Sequence, residues 1–285
     1  MSVVTFVLLY GISYGLILCL ISIGLVITLG LMRVVNLAHG AFAAIGGYVS
    51  TSLAAQVGIP FPLAIIGAVF VVSLLSYVLE IVFFRGLYKA SDLSQALQTI
   101  GLAYICIGAL TIIYGPNVIA TTLPGYLKGS IDLGFREFEI YRVVVAAISV
   151  LVVAILWLVF DRTNIGAKLR AAVDNPSMTQ ATGINVPILF SIVFALGGGL
   201  AAFGAALGAH MLPLDPFYPF RYLVITLIIV VLSGHGNLKG AIIISIAIGM
   251  IETATRLLLP EFGSFAIYLV LIGLIVWKPH GLFNR

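Results

Sequence analysis

Few residues of this 285-residue chain could do chemistry, and those few are scattered through hydrocarbon. Glu252 and Arg256 lie four apart with the glutamate first, the helical spacing and order that favour an ion pair and reduce the cost of placing either charge in lipid. Intramembrane charges ordinarily face a bundle interior or a water-filled cavity, which makes Glu252 a candidate for a solute path; a structural pair at the interface is the alternative. Glu80 stands near the end of another apolar run. Two insertions, Arg33-Val-Val-Asn-Leu-Ala-His-Gly40 and Ser233-Gly-His-Gly-Asn-Leu-Lys-Gly240, mix Asn, His and Gly at a hydrophobic boundary. Their Asn36, His39, Gly40, His235 and Asn237 are the other path candidates. Neither His39 nor His235 has a Cys, Asp or Glu neighbour at ligand spacing, so capping or loop hydrogen bonding fits them better than metal or proton binding.

The chain contains no Gly-x-x-x-x-Gly-Lys-[Ser/Thr] phosphate loop and no His-Glu-x-x-His. Four scattered histidines and ten mostly loop-bound carboxylates suggest neither a triad nor a metal cluster. We therefore expect no catalytic residue, no metal and no cofactor, and any use of ATP must come from a partner.

The elements that must position these residues are membrane helices. With 62% apolar and 8% charged residues, the polar surface is too small to coat a soluble globule of this length. Residues 1–32, 93–127 and 175–214 carry no charged side chain, where about 20 apolar residues suffice for one crossing. Lipid offers the backbone no water, and period-2 alternation is absent, so the expected fold is an all-α polytopic transmembrane bundle. It is expected to form one transmembrane domain over 1–285. Nothing basic precedes Arg33, so the first run is expected to remain as a membrane helix. Cys19 and Cys106 sit inside apolar runs and imply no disulfide framework.

Crossings are expected at 4–30, 41–56, 62–84, 97–114, 143–160, 187–210, 222–233, 240–259 and 264–277, eight or nine in all depending on whether the short 222–233 segment is re-entrant. Alternate loops then place Arg33, Arg85, Lys89, Arg162, Lys168, Arg170, Lys239, Lys278 and Arg285 on one side. Lys128, Arg136, Arg142, Arg221 and Arg256 fall on the other. Nine against five makes the first side cytoplasmic. The net charge of +4 follows this topology rather than a nucleic-acid surface. Gly11-xxx-Gly15 and Gly204-xxx-Gly208 read first as close helix packing. The two Asn/His/Gly insertions suggest two structural repeats with corresponding interrupted segments.

One long polar stretch, 161–185, carries its own helix punctuation. Asn164 is a candidate cap for a helix whose Ile165, Leu169, Ala172 and Val173 share a face opposite Lys168, Arg170 and Asp174. Asn175-Pro176 reads as the N-cap and first residue of a second short helix, which Gly183 ends in the left-handed conformation. A membrane protein that keeps one structured polar segment is expected to touch something soluble there; an ordinary solvated connector is the alternative.

Val34-Val-Asn-Leu-Ala-His-Gly-Ala-Phe-Ala-Ala-Ile-Gly-Gly-Tyr48 and Gly166-Ala-Lys-Leu-Arg-Ala-Ala-Val-Asp-Asn-Pro-Ser-Met-Thr-Gln-Ala-Thr-Gly-Ile-Asn185 together resemble the permeases of branched-chain amino-acid ABC importers, the LivH type. The resemblance extends over nearly the whole chain, through Leu232–Gly240 to a closing Pro279-His-Gly281. Ala41 replaces the acidic residue often found after His-Gly, and Gly236-Asn237 replaces a Gly-Ser pair. The resemblance implies a bacterial or archaeal cytoplasmic (inner) membrane, a homologous second permease subunit, two ATPase subunits and a periplasmic solute-binding protein. It makes 161–186 a cytoplasmic coupling segment in which Leu169, Arg170, Asp174, Gly183 and Asn185 carry the contact, with the apolar face seated in a groove of the ATPase. Urea or short amides, which relatives also carry, and a stand-alone facilitator for a small polar solute remain the alternatives.

Overall fold

The computed structural model describes residues 2–276 apart from 33, 89, 120, 122, 133–136, 235, 262–264, 266–267, 270–271 and 274–275. His235, Pro279-His-Gly281 and most of the span expected at 264–277 therefore lie outside the described residues. The chain runs α1 (Ser2–Met32), α2 (His39–Ala55), α3 (Phe61–Leu79, continued by Glu80–Phe84 and Arg85–Leu87) and α4 (Asp92–Tyr114). A small hairpin, β1 (Ser130–Asp132) and β2 (Glu137–Glu139), precedes α5 (Ile140–Arg162), α6 (Asn164–Asp174) and α7 (Pro176–Ala181). It ends with α8 (Val186–Gly208), α9 (Tyr218–Ser233) and α10 (Leu238–Leu258).

Among the described residues six helices are long and apolar enough to cross a membrane: α1, α3, α4, α5, α8 and α10. Two expected crossings, 41–56 and 222–233, become α2 and α9, of 17 and 16 residues, both shorter than the about 20 residues of a typical crossing. Both begin inside the bundle. His39 Nε2 donates to the Ile21 carbonyl at 2.8 Å, which places the start of α2 about 16 Å back along α1 from its end at 1.5 Å rise per residue. The connection between α1 and α2 re-enters the bundle instead of merely turning. Gln95 and Thr99 of α4 hold it, accepting hydrogen bonds from the Val35 and Leu37 backbone at 2.9 and 3.1 Å.

Contact between helices is set by small residues, because lipid tails are as apolar as leucine and give no hydrophobic reason for one helix to prefer another. α1 is the most enclosed helix, and its glycines explain why. A Cβ on Gly11 or Gly15 would stand 2.7 Å from backbone atoms of α10, and one on Gly24 would stand 2.2 Å from the Gly197 carbonyl oxygen of α8. Gly204 and Gly208 meet Ile21 and Ile17 in the same antiparallel α1–α8 seam, as their spacing predicts. Gly11-Ile-Ser-Tyr-Gly15 has the spacing of a nucleophile elbow, yet it lies within continuous helix, where Ser13 Oγ donates to the Leu9 carbonyl at 2.8 Å. Across α3, α4 and α5 the outward apolar side chains, such as Phe70, Ile105, Ile112 and Leu151, are exposed to what would be hydrocarbon.

The entrances to the two short helices are built alike. Asn36 Oδ1 accepts from Ala38 N at 3.0 Å, and Asp215 Oδ1 accepts from Phe217 N at 2.9 Å. His39 N donates to Asn36 O as Tyr218 N donates to Asp215 O. Ala38 and Phe217 share nearly identical torsions, φ −83°, ψ 1° and φ −85°, ψ 1°. One interval of 179 residues separates Asn36 from Asp215, Ala38 from Phe217, His39 from Tyr218 and Gly40 from Pro219. The last pair touch: a Cβ on Gly40 would stand 2.0 Å from the Pro219 carbonyl oxygen. The turn built like 36–39 is thus 215–218, not one in the 233–240 insertion suggested by composition. That insertion enters a full span, α10, through an ordinary cap in which Asn237 Oδ1 accepts from Gly240 N at 3.0 Å.

Candidate functional site

The polar segment folds as two helices, with small changes from the sequence reading. Thr163, not Asn164, is the N-cap of α6, its Oγ1 accepting from Ile165 N at 3.2 Å. Asn175 Oδ1 accepts from Met178 N at 3.0 Å ahead of Pro176, and Gly183 follows with φ +86°. Asn185 then caps α8 through Ile188 N at 3.2 Å. Asn175, Gly183 and Asn185 thus set the two corners that lead from α6 into a transmembrane helix.

The orientation of α6 corrects the sequence reading. Gly166, Leu169 and Ala172 are buried against the bundle itself, and a Cβ on Gly166 would stand 1.9 Å from the Phe160 carbonyl oxygen. Leu169, 1% exposed, shares a pocket with Ile27, Trp157, Phe160 and Leu238, so it cannot seat in a partner's groove. Arg170 reinforces the attachment, donating to the Phe160 carbonyl at 2.8 Å. What faces outward is Ile165, Lys168, Asp174 and, on α7, Met178. Ile165 and Met178 are 53% and 68% exposed, two apolar anchors within a charged surface. The 3.6 period placed Leu169 and Ala172 together on the buried face but wrongly put Ile165 with them, and it could not say which body that face meets.

A buried polar joint lies where α3 meets the first turns of α8. After Leu79 one turn of α3 widens, Arg85 N bonding to the Glu80 carbonyl five residues back. Glu80, with no exposed surface, accepts from the Arg85 guanidinium at 3.2 Å and from the hydroxyls of Tyr88 and Ser191. Arg85 also donates to Ser191 Oγ at 2.9 Å. Glu80 was legible in the sequence as an intramembrane acid; its partner Ser191, 111 residues away, was not. Substituting Glu80 by alanine leaves one cation and two hydroxyls without their acceptor and is expected to cost about 3 kcal/mol, whereas Gln keeps an acceptor and costs about 1 kcal/mol. Thermal midpoints of the purified variants order them wild type, Gln, Ala; equal midpoints for Gln and Ala would show that the joint contributes little.

The path candidates do not form one cluster. Asn36, His39 and Gly40 sit together where the N-terminal ends of α2 and α9 converge, all three buried. There His39 is occupied by the Ile21 carbonyl and Asn36 by its own turn. Asp215, which sequence reasoning did not select, stands at the matching turn of α9 and pairs with Arg221 at 2.6 Å. Asn237 lies at the opposite end of α10 from Glu252, about 22 Å away along the helix axis. Its neighbour Lys239 places Nζ over the Trp157 ring, 5.6 Å from the centroid. Glu252, 6% exposed, pairs with Arg256 at 2.5 Å, as the i,i+4 spacing predicts. Among the described residues no group of three or more His, Cys, Asp or Glu could hold a metal.

A bundle of interrupted and full-length apolar helices, with one capped polar unit seated on one face, is the architecture of a multi-pass membrane permease. The chain belongs to the family described as "Branched-chain amino acid transport system / permease component", which matches residues 7–275. It is 25% identical over 288 residues to the high-affinity branched-chain amino acid transport system permease protein BraD of Pseudomonas aeruginosa, covering 96% of this chain and 94% of that one. It is 24% identical over 290 residues to the LivH permease of Escherichia coli K12, again covering 96% and 94%. A probable branched-chain amino acid transport permease LivH of Methanocaldococcus jannaschii is 27% identical over 285 residues, covering 95% and 90%. No solved structure matches the chain.

Proposed function

We propose that this chain is the membrane-spanning permease subunit of an ABC importer that moves branched-chain amino acids into the cytoplasm. It would pair with a homologous second permease, receive solute from an extracytoplasmic binding protein, and be driven by two ATPase subunits that bind ATP in its place. The family match over residues 7–275 carries this reading, and the names of the full-length relatives support its substrate class.

On this reading the outward surface of α6 and α7 is the ATPase dock, and Leu169, Arg170, Asp174, Gly183 and Asn185 fall into separate roles. Leu169 and Arg170 fasten α6 to the bundle, Asp174 belongs to the dock, and Gly183 and Asn185 hold the corner that transmits its movement. A push on α6 and α7 reaches α8 through that corner, and the Ser191–Glu80–Arg85 joint passes it to α3. Rigid shifts of this kind suit alternating access.

The same reading includes two inverted repeats, α1–α3 and α8–α10, supported by the twin turns at 36–39 and 215–218 and by the antiparallel α1–α8 crossing. The convergence of α2 and α9, with Asn36, His39 and Gly40, would then lie near a symmetry axis within the membrane, as in transporters built from discontinuous helices. The side bearing α6 and α7 is the cytoplasmic one, in line with the distribution of basic residues.

The test is the purified complex in lipid nanodiscs, together with the solute-binding protein. Leucine, isoleucine or valine is expected to raise its ATPase rate several-fold, with urea and acetamide inert. Stimulation by urea or acetamide alone would overturn the substrate class, and solute flux through the permease without ATPase subunits would overturn the importer.

A further inference from the structure

We infer that the cavity at the end of the bundle opposite α6 and α7 is a binding site for the zwitterion of an aliphatic α-amino acid, with Glu252 receiving the ammonium and Arg142 with Arg256 the carboxylate. The inference rests on the proposed function for its substrate class and adds where that substrate would be held.

The cavity, of about 300 Å³, opens between α1, α5, α10 and the α8–α9 connection. Its lining holds both signs of charge beside an apolar wall. The buried carboxylate of Glu252 uses Oε1 for Arg256 at 2.5 Å. Oε2 is enclosed and left unpaired by Arg256, with the neutral Tyr14 hydroxyl facing the same carboxylate. A buried carboxylate oxygen without a donor is costly, and a charged N–H donor brought by a ligand offsets that cost better than a neutral one.

Arg142 approaches from α5. Its Nε pairs with Glu139 at 2.9 Å and its guanidinium lies over the Tyr10 ring, 4.3 Å from the centroid, so its plane is held while the side chain borders the cavity. Arg256 closes the same rim. A planar guanidinium held against a ring is suited to a ligand carboxylate. Phe6, Tyr10 and Tyr14 line one face of α1 at i, i+4 and i+8, and Phe6 stacks on Tyr10 with centroids 4.0 Å apart. With Leu257 they provide an apolar wall for a branched side chain. A mostly apolar cavity with a few convergent polar groups is the usual form of a small-molecule site. An aliphatic amino acid presents the complementary set: one cation, one anion and a hydrocarbon branch.

The test uses the full complex in nanodiscs, with radiolabelled leucine binding measured by equilibrium dialysis. Glu252→Gln and Arg142→Gln are each expected to weaken leucine binding at least tenfold, and Thr253→Trp, which fills the cavity from α10, to remove it. Assembly of the complex, read by size exclusion, should be retained. Neither 4-methylpentanoate, which lacks the ammonium, nor 3-methylbutylamine, which lacks the carboxylate, should compete at tenfold the leucine concentration. Should Glu252→Gln fail to assemble, Thr253→Trp and the two analogues carry the test. Wild-type leucine affinity in Thr253→Trp, or competition by either analogue equal to that of leucine, overturns this site while leaving the importer standing. A wild-type complex that imports another solute and no branched-chain amino acid overturns the proposed function and this inference with it.

Discussion

Replacing Gly40 by valine is expected to abolish transport and to lower the thermal stability of the permease. Even a Cβ at this position would lie 2.0 Å from the Pro219 carbonyl oxygen, where carbon and oxygen ordinarily keep about 3.3 Å or more. Both neighbours are backbone, so no side chain can rotate away, and α2 and α9 must part by more than an ångström. Overpacking usually costs about 1–3 kcal/mol where side chains yield, and a backbone-on-backbone clash belongs at or above the upper end of that range. The loss would fall on the convergence of the two short helices and leave the outer spans intact. Gly108→Ala is the control: it lies in α4 with nothing within 4 Å of an added Cβ, and it should be neutral or slightly stabilising because alanine is the better helix former. Size-exclusion profiles after heating, together with solute uptake, read both variants. A Gly40→Val permease with the wild-type midpoint would show that the approach of α2 to α9 is looser than the geometry implies.

The second large effect separates the two faces of α6. Leu169→Glu puts a carboxylate where the side chain is 1% exposed and surrounded by Ile27, Phe160 and Leu238, and is expected to cost about 3–5 kcal/mol because the new charge is buried without a dedicated partner. Detached α6 and poor recovery of the permease should follow. Met178→Glu and Ile165→Glu change residues that already face solvent, so the fold should tolerate them within about 0.5 kcal/mol. Their effect should instead be on association, where losing an apolar anchor costs about 1–2 kcal/mol, or roughly tenfold in affinity. Co-purification with the ATPase and the thermal midpoint of the permease alone distinguish the outcomes. If Met178→Glu and Ile165→Glu both keep full ATPase binding, the dock lies elsewhere than on the outward surface of α6 and α7.

These two cases also mark how far the residues alone could be read. The cap at Asn175, Pro176 at the first helical position and the left-handed Gly183 were legible because each depends on the side chain and its immediate neighbours in the chain. The Glu252–Arg256 pair was legible for the same reason, being one helical turn apart. Thr163 displaced Asn164 as the cap because either residue could serve, and only the direction in which α5 ends selects between them.

By itself the sequence determined the solvent and the secondary structure. Long uncharged runs demand lipid, and lipid demands helices. Only the tertiary structure decided that α2 and α9 start inside the bundle and meet at Gly40 and Pro219, that Leu169 turns inward, and that Glu80 is held by Ser191. The physical reason is that an apolar side chain is equally content against hydrocarbon or against another helix, so hydropathy says nothing about which helices touch. Contact is chosen by the fit of backbones at small residues and by a few buried polar groups seeking partners, and both depend on residues more than a hundred positions apart.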